Sequence, residues 1–186
     1  RQTRDTVLAL GEAGISGWFG TWALEMLVPP WMGLEKFDEL IFPYDKMVND
    51  AIHAIGGKHR SHCHGNCMEY LEHMCEMGLD ATEPLEPPPF GDINLAEAKR
   101  RVGDRMMLSG NVASQFFTTM SRDEVRASVR ESIQAGAPGG GYSLRTTGGH
   151  AGLNPDLDRA QLHKIIENVE YYVEAGLEFG TYPIKA

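Results

Sequence analysis

The sequence has few cysteines, a deficit of positive charge and no long apolar run. Lysine and arginine total 17 against 26 aspartates and glutamates, a formal net charge of −9 over 186 residues, so we expect no nucleic-acid partner. The longest apolar stretch, residues 22–34, is interrupted by Glu25 and Pro29-Pro30 and is too short to span a membrane. The three cysteines are Cys63, Cys67 and Cys75. An odd and sparse set argues against a disulfide framework and predicts a reducing, cytoplasmic location.

The amino-terminal residues contain no recognisable secretory signal. No apolar segment follows the opening Arg1 to Asp5, as a signal peptide would require. Because the first residue is not methionine, we expect the chain to be a piece of a longer one.

Strand-like and helix-like segments alternate along the chain. Five strands are predicted, at residues 17–22, 58–63, 81–85, 106–109 and 142–144. Six helices are predicted, at residues 3–12, 35–55, 66–77, 95–102, 121–133 and 158–176. Pro43 is expected to bend or split the second helix, and Ser121 with Glu124 forms a capping-box pattern at the start of the fifth. The alternation indicates an α/β fold with a parallel sheet, closed or doubly wound.

The strand count predicts only part of a closed barrel. A (β/α)8 TIM-type barrel has eight strands over typically ~250 residues, so about three βα units would be missing from the front. We therefore expect residues 1–186 to form a single domain that covers the C-terminal five βα units of such a barrel.

Two histidines lie where the second predicted strand ends. Side chains alternate along a strand, so His62 and His64 are expected to project to one side and Cys63 to the other. In a (β/α) barrel this position is the mouth at which catalytic residues gather. Two imidazoles at this spacing can bind one metal ion as neutral nitrogen donors. The alternative is a pair that caps a helix or forms hydrogen bonds in the core.

A third histidine follows the last predicted strand. His150 stands within the glycine-rich residues 148–152, and flanking glycines let the backbone pass close to a ligand. Because a catalytic metal commonly takes three protein ligands, His62, His64 and His150 are candidates for one metal site. The alternative for His150 is a loop histidine that binds substrate or backbone.

Two carboxylates, Glu83 and Glu86, end the strand between these histidines. They are three residues apart, so a regular strand would send them to opposite faces unless Pro84 breaks the alternation. Each is a candidate metal ligand, a partner that orients an imidazole, or a general acid; the alternative is solvated loop charge. Asn111 and Arg145 also fall near strand ends and are candidates for polar lining that binds a cofactor.

Three tryptophans cluster around the first strand. They are Trp18, Trp22 and Trp31, with Glu25 among them. Packing within the barrel explains them, and the alternative is a hydrophobic wall for an aromatic or methylated substrate.

An ordered series of segments resembles one protein family. Residues His62-Cys63-His64-Gly65-Asn66 are similar to the His-x-Cys-Gly-Asn segment of corrinoid-dependent methyltransferases in the uroporphyrinogen decarboxylase superfamily. Further similar segments follow in the family's order over nearly the whole chain: residues 78–81, 91–92, 97–100, 103–105, 109–112 and 175–184. The resemblance implies a (β/α)8 barrel, of which this chain is the C-terminal part.

The resemblance also implies a metal site with an unusual ligand set. The zinc ligands of the methyltransferase branch are His, Cys and a later Cys, which correspond by position to His62, His64 and His150, so neither thiolate is present. Three neutral imidazoles leave a divalent ion with its full charge and make it a stronger Lewis acid. The decarboxylases of the superfamily carry a Gly-His-Gly segment that Gly149-His150-Ala151 also resembles, and this would make His150 a substrate ligand instead.

Three functions follow from these patterns. The first is a methyltransferase or demethylase that uses zinc or another divalent metal, moves a methyl group between a small methylated substrate and a corrinoid carried by a partner protein, and is assisted by Glu83 or Glu86. The second is a cofactor-free decarboxylase of a porphyrinogen or a smaller acid, for which Arg145 is the obvious basic residue at the mouth. The third is a barrel fragment without complete chemistry, whose open sheet edges favour pairing. A homo-oligomer is left open.

Overall fold

Five parallel strands form one sheet in the order in which they occur along the chain. The structure, a computed structural model, describes residues 2–22, 24–148 and 156–184. The strands, each hydrogen-bonded to the next, are β1 (Trp18–Thr21), β2 (Lys58–Cys63), β3 (Ala81–Pro84), β4 (Met107–Val112) and β5 (Tyr142–Thr146). A doubly wound sheet reverses its strand order. This order does not reverse, which is the arrangement of a segment of a (β/α) barrel.

The α-helices alternate with these strands. They are α1 (Gln2–Glu12), α2 (Leu34–Leu40), α3 (Phe42–Ala54), α4 (Leu71–Glu76), α5 (Leu95–Val102), α6 (Arg122–Gly136) and α7 (Arg159–Phe179). The helix predicted over residues 35–55 is split as expected, because Pro43 stands in the first turn of α3, where its missing N–H costs nothing. The capping box also forms at α6: the Ser121 hydroxyl accepts from the Glu124 N–H, and the Glu124 carboxylate accepts from the Ser121 N–H.

Short 3₁₀ turns follow three of the strands. They cover Leu24–Leu27 after β1, Met68–Tyr70 after β2 and Ser114–Phe116 after β4. The helix predicted over residues 66–77 is therefore wrong in its first turn: residues 68–70 are 3₁₀, and α4 begins at Leu71.

Helices cover one face of the sheet, and burial alternates most clearly along β2. On β2 the buried residues are His59, Ser61 and Cys63. Cys63 belongs to a core that includes Leu71 and Met74 of α4, and a second core lies between β4, β5, α6 and α7. Arg60 and His62 point to the opposite side, which we call the inner face because it lines the interior of a closed barrel.

Candidate active site at the strand ends

The β2 strand and the turn behind it present two imidazoles together. His62 lies on the inner face near the end of β2, and His64 follows directly after the strand. Their ring centroids are 4.6 Å apart with planes at 75°. Trp22, just after β1, lies against the other side of His62 with a centroid distance of 4.7 Å. The strand alternation predicted from sequence thus brings His62 and His64 to one place.

Glu83 of β3 faces His62 from the adjacent strand. The two residues are register partners, and the Glu83 Oε1 atom lies 3.3 Å from His62 Nδ1. Glu83 has no exposed surface. Two guanidinium groups compensate its charge: Arg60 Nη1 lies 3.4 Å from Oε1, and Arg145 forms an ion pair with Oε2. A buried carboxylate is stable only with such partners.

Glu86, three residues after Glu83, contacts His64 in the same way as Glu83 contacts His62. Its Oε2 atom lies 3.0 Å from His64 Nδ1 and accepts a hydrogen bond of 2.9 Å from the backbone N–H of Gly65. Its Oε1 atom accepts from Gln115 Nε2 at 3.2 Å. Both carboxylates reach the histidines because β3 ends at Pro84 and Leu85 takes a left-handed conformation, with φ of 56°, so the strand alternation stops between them.

These contacts set the tautomer of both rings. A carboxylate accepts hydrogen bonds, so Nδ1 of each imidazole carries the proton and donates it, and Nε2 is left with its lone pair. Burial and the neighbouring His64 lower the pKa of His62, although Glu25 acts to raise it. The neutral ring is the form that binds a metal ion or accepts a proton.

The cysteines nearby do not belong to this site. Cys63 and Cys67 are both buried in the core behind the sheet. The hydrogen bond with Cys67, together with burial, raises the pKa of the Cys63 thiol, so Cys63 is held in the protonated form, which is a poor ligand. Among the described residues at the mouth, the nitrogen donors that could bind a metal ion are the imidazoles of His62 and His64.

The described residues hold only part of the predicted metal set. No group of three or more His, Cys, Asp or Glu within them is arranged to bind a metal ion, and His150 lies outside the described residues. Two imidazoles, each with a carboxylate at Nδ1, nevertheless fit a divalent ion as two ligands of a larger set.

Arg145 and Asn111, the two predicted lining residues, differ in position. Arg145 of β5 joins the cluster through Glu83. Asn111 of β4 accepts a hydrogen bond of 3.1 Å from Ser132 of α6, so its side chain is engaged on the helix side. The structure does not bring Asn111 together with the other candidates.

Sequence reasoning missed Arg60, Gln115 and the proximity of Glu25. Arg60 stands two residues before His62, so the same alternation that paired the histidines could have placed it on the inner face. Gln115 lies in a 3₁₀ turn, for which no periodic signal exists. The Oε2 atom of Glu25 is buried without a hydrogen-bond partner among the described residues.

The chain belongs to the uroporphyrinogen decarboxylase (URO-D) family, whose sequence pattern matches residues 29–172. It is 34% identical over 100 residues to a uroporphyrinogen decarboxylase of Thioalkalivibrio sulfidiphilus, a match that covers 54% of this chain and 26% of the relative. The fold is similar to that of a methyltransferase from Methanosarcina mazei, with a TM-score of 0.68 and 21% identity. That likeness covers 96% of this chain and 47% of the methyltransferase, so the chain spans about half of that protein's length. The predicted family and barrel fold are thereby confirmed.

Within the described residues, no helix is both long and apolar enough to cross a membrane.

Proposed function

We propose that this chain carries the active centre of a metal-dependent methyltransferase or demethylase, which moves a methyl group between a small methylated substrate and a corrinoid carried by a partner protein. One observation carries the proposal: His62 and His64 each keep Nδ1 on a carboxylate of their own, Glu83 and Glu86. Metal-binding histidines almost always donate their second ring nitrogen in this way.

The metal would be held by His62 and His64, with His150 as the third ligand. A bound zinc or other divalent ion would supply a Lewis acid that polarises the atom from which the methyl group departs. The absence of thiolate donors favours a methylated oxygen or nitrogen over a thiol as the group that reacts, because thiolate ligands are what make a bound thiol strongly nucleophilic.

The chain's own residues would position the reactants. Glu83 and Glu86 contact the two imidazoles at Nδ1 and so favour the Nδ1–H tautomer, which leaves each Nε2 with a lone pair for a ligand. Arg60 and Arg145 contact Glu83, which is the acceptor for His62. Trp22, which is 68% exposed, offers an apolar surface beside His62 on which the body of a small substrate can rest.

Elemental analysis of the complete purified protein tests the proposal. We expect about one divalent ion per chain, lost when His62 and His64 are both replaced by Ala. His73→Ala is the matched control, because His73 also bonds a carboxylate through Nδ1, that of Asp38 at 2.8 Å, but lies elsewhere. A wild-type protein that binds no metal after reconstitution with zinc would reject the proposal.

A metal-free decarboxylase is the second candidate. It is favoured by the two guanidinium groups on the inner face, Arg60 and Arg145, and by the name of the bacterial relative. Release of CO2 from a carboxylic acid by metal-free protein, with His62→Ala and His64→Ala retaining that activity, would favour it over methyl transfer.

A further inference from the structure

We propose that Gln115 is a positioning residue for the histidine pair, because its side-chain amide holds Glu86 against His64. Gln115 lies in the 3₁₀ turn that follows β4, and it acts on the imidazole through the carboxylate. That the imidazole then serves a metal ion rests on the function proposed above; the control of the His64 ring by Gln115 does not.

The Gln115 amide links a hydroxyl on one side to a carboxylate on the other. An ionised carboxylate only accepts hydrogen bonds, so the amide nitrogen, 3.2 Å from Glu86 Oε1, is the group that faces it and donates. The amide oxygen then faces Thr147, whose hydroxyl donates to it at 3.2 Å. An amide can accept from one neighbour and donate to the other, which neither a carboxylate nor an apolar side chain of the same length can do.

Glu86 depends on this amide more than Glu83 depends on any one partner. Among the described residues, Gln115 is the one hydrogen-bond donor to Glu86 Oε1, whereas Oε2 is engaged by the His64 ring and by a backbone N–H. Glu86 is only 5% exposed, so water does not readily replace a lost donor. Two guanidinium groups contact Glu83. Loss of the amide should therefore move Glu86 and leave Glu83 in place.

The surrounding backbone fixes where the amide lies. The N–H of Thr147 donates at 2.9 Å to the carbonyl of Val112, the last residue of β4, and Gln115 follows three residues after Val112. Gly148 packs against the amide, since a Cβ atom there would lie 2.6 Å from Gln115 Cδ. The atoms nearest to that Cβ all belong to the flexible Gln115 side chain. An alanine at position 148 should therefore displace the amide while the backbone keeps its fold.

NMR of the histidine ring nitrogens in the complete, metal-free protein tests the inference. At about pH 8.5 an imidazole is ordinarily neutral, and the wild type should show the Nδ1–H tautomer at both His62 and His64. Gln115→Met keeps the side-chain length but removes the donor, and Gly148→Ala displaces it. Both variants should shift the His64 ring toward the Nε2–H tautomer that predominates in free histidine, with the His62 ring unchanged. Gln134→Met replaces an exposed glutamine of α6 and is the matched control, which should change neither ring.

Two results would overturn the inference, provided that circular dichroism shows each variant to be folded. One is an unchanged His64 ring in both variants. The other is an equal shift of the His62 ring, which would make Gln115 a general structural residue.

Zinc affinity of the same proteins, measured by competition with a chelator, separates this inference from the proposed function. Where the wild type binds zinc, Gln115→Met and Gly148→Ala should each weaken binding by on the order of tenfold. A shifted His64 ring in a protein whose wild type binds no zinc rejects the metal-dependent function alone. An unchanged His64 ring in a protein whose wild type does bind zinc rejects the positioning role alone.

Discussion

Strands β2 and β3 carry a histidine–carboxylate cluster at each end, and the two clusters differ in what they leave free. At the amino-terminal ends, Asp80 accepts hydrogen bonds from Lys58 at 2.7 Å and from the backbone N–H of His59 at 2.9 Å, and it contacts His53 Nε2 at 2.8 Å. At the carboxyl ends, Glu83 and Glu86 contact the Nδ1 atoms of His62 and His64.

In the cluster at the amino-terminal ends, which we call the lower cluster, the polar side chains bond to one another and to the backbone. The cluster at the carboxyl ends is called the upper cluster. His59 Nδ1 bonds the amide oxygen of Asn49, whose amide nitrogen donates to the carbonyl of Met77 at 2.7 Å. His59 Nε2 is buried without a partner among the described residues, so no ligand can reach it. The upper cluster, at the carboxyl ends, instead leaves its histidines partly exposed: the side chain of His62 is 14% exposed and that of His64 is 35% exposed.

A histidine beside a carboxylate therefore does not by itself show whether a site is structural or chemical. In (β/α) barrels the amino-terminal face contributes stability and the carboxyl-terminal face contributes chemistry. The test of this division is to change each cluster and to ask whether stability or ligand binding responds.

The largest effect should come from Asp80→Ala in the lower cluster. The substitution removes the acceptor of three groups while its own side chain is only 14% exposed, so we expect a loss of about 3 kcal/mol in the free energy of unfolding. Urea denaturation measures it. Metal content per folded chain should not change; a loss of metal would contradict the division between the two ends.

Acid should destabilise the protein through the same lower cluster. Burial lowers the pKa of His59 from 6.5 to about 4, although Asp80 acts to raise it. Between these pH values the unfolded chain binds a proton that the folded chain does not, so the free energy of unfolding falls as the pH falls, by roughly 2–3 kcal/mol.

The variant His59→Asn isolates this contribution, because asparagine keeps a donor near the Nδ1 position but does not titrate. Its unfolding free energy, measured by urea denaturation from pH 7 to pH 4, should fall less steeply than that of the wild type. Parallel curves for the two proteins would show that His59 is not responsible.

In the upper cluster, Glu83→Gln should weaken metal binding while the chain still folds. An amide cannot hold the His62 proton as a carboxylate does, and loss of such a partner typically costs 10–100-fold in metal affinity. Competition with a chelator of known affinity measures this. Asp38→Asn removes the partner of His73 outside the site and is the control; an equal effect of both variants would argue against a metal at the mouth.

The smallest effect should come from an ion pair on the outer surface. Lys46 and Asp50 lie 2.8 Å apart on α3, with side chains 43% and 59% exposed. Solvent screens such a pair, so Lys46→Ala should change the free energy of unfolding by less than about 0.5 kcal/mol. This value sets the baseline against which the two clusters are compared.

Much of the fold was predictable because the strands are short and clearly bounded. The prediction for β2 agrees with the structure at both ends, and that for β3 differs by one residue. Two of the errors involve glycines that were interpreted as ends of elements. Helix α7 continues past Gly176 to Phe179, because that glycine permits close packing, with a Cβ atom there 3.0 Å from Leu144. Strand β4 likewise continues through Gly110, which lies against the carbonyl of Pro84.

The candidate site was predictable where it depended on strand periodicity. Alternation placed His62 and His64 together, and it would have added Arg60. It could not predict that Glu83 and Glu86 point to the same cluster, since this depends on the backbone at Leu85 beyond the end of β3. Nor could any local pattern show that Arg145, more than sixty positions later, contacts Glu83.

Gly91 imposes a limit on how this site can change. A side chain there would place its Cβ atom 2.5 Å from the carbonyl oxygens of both Gly65 and Glu86. Gly91 belongs to the loop that follows β3, and at this residue that loop packs against the loop that follows β2 with no space for an added atom. A library that randomises these loops to obtain new substrates should keep glycine at position 91, and distant genomic sequences with the paired histidines and glutamates can be screened for that glycine before any protein is made.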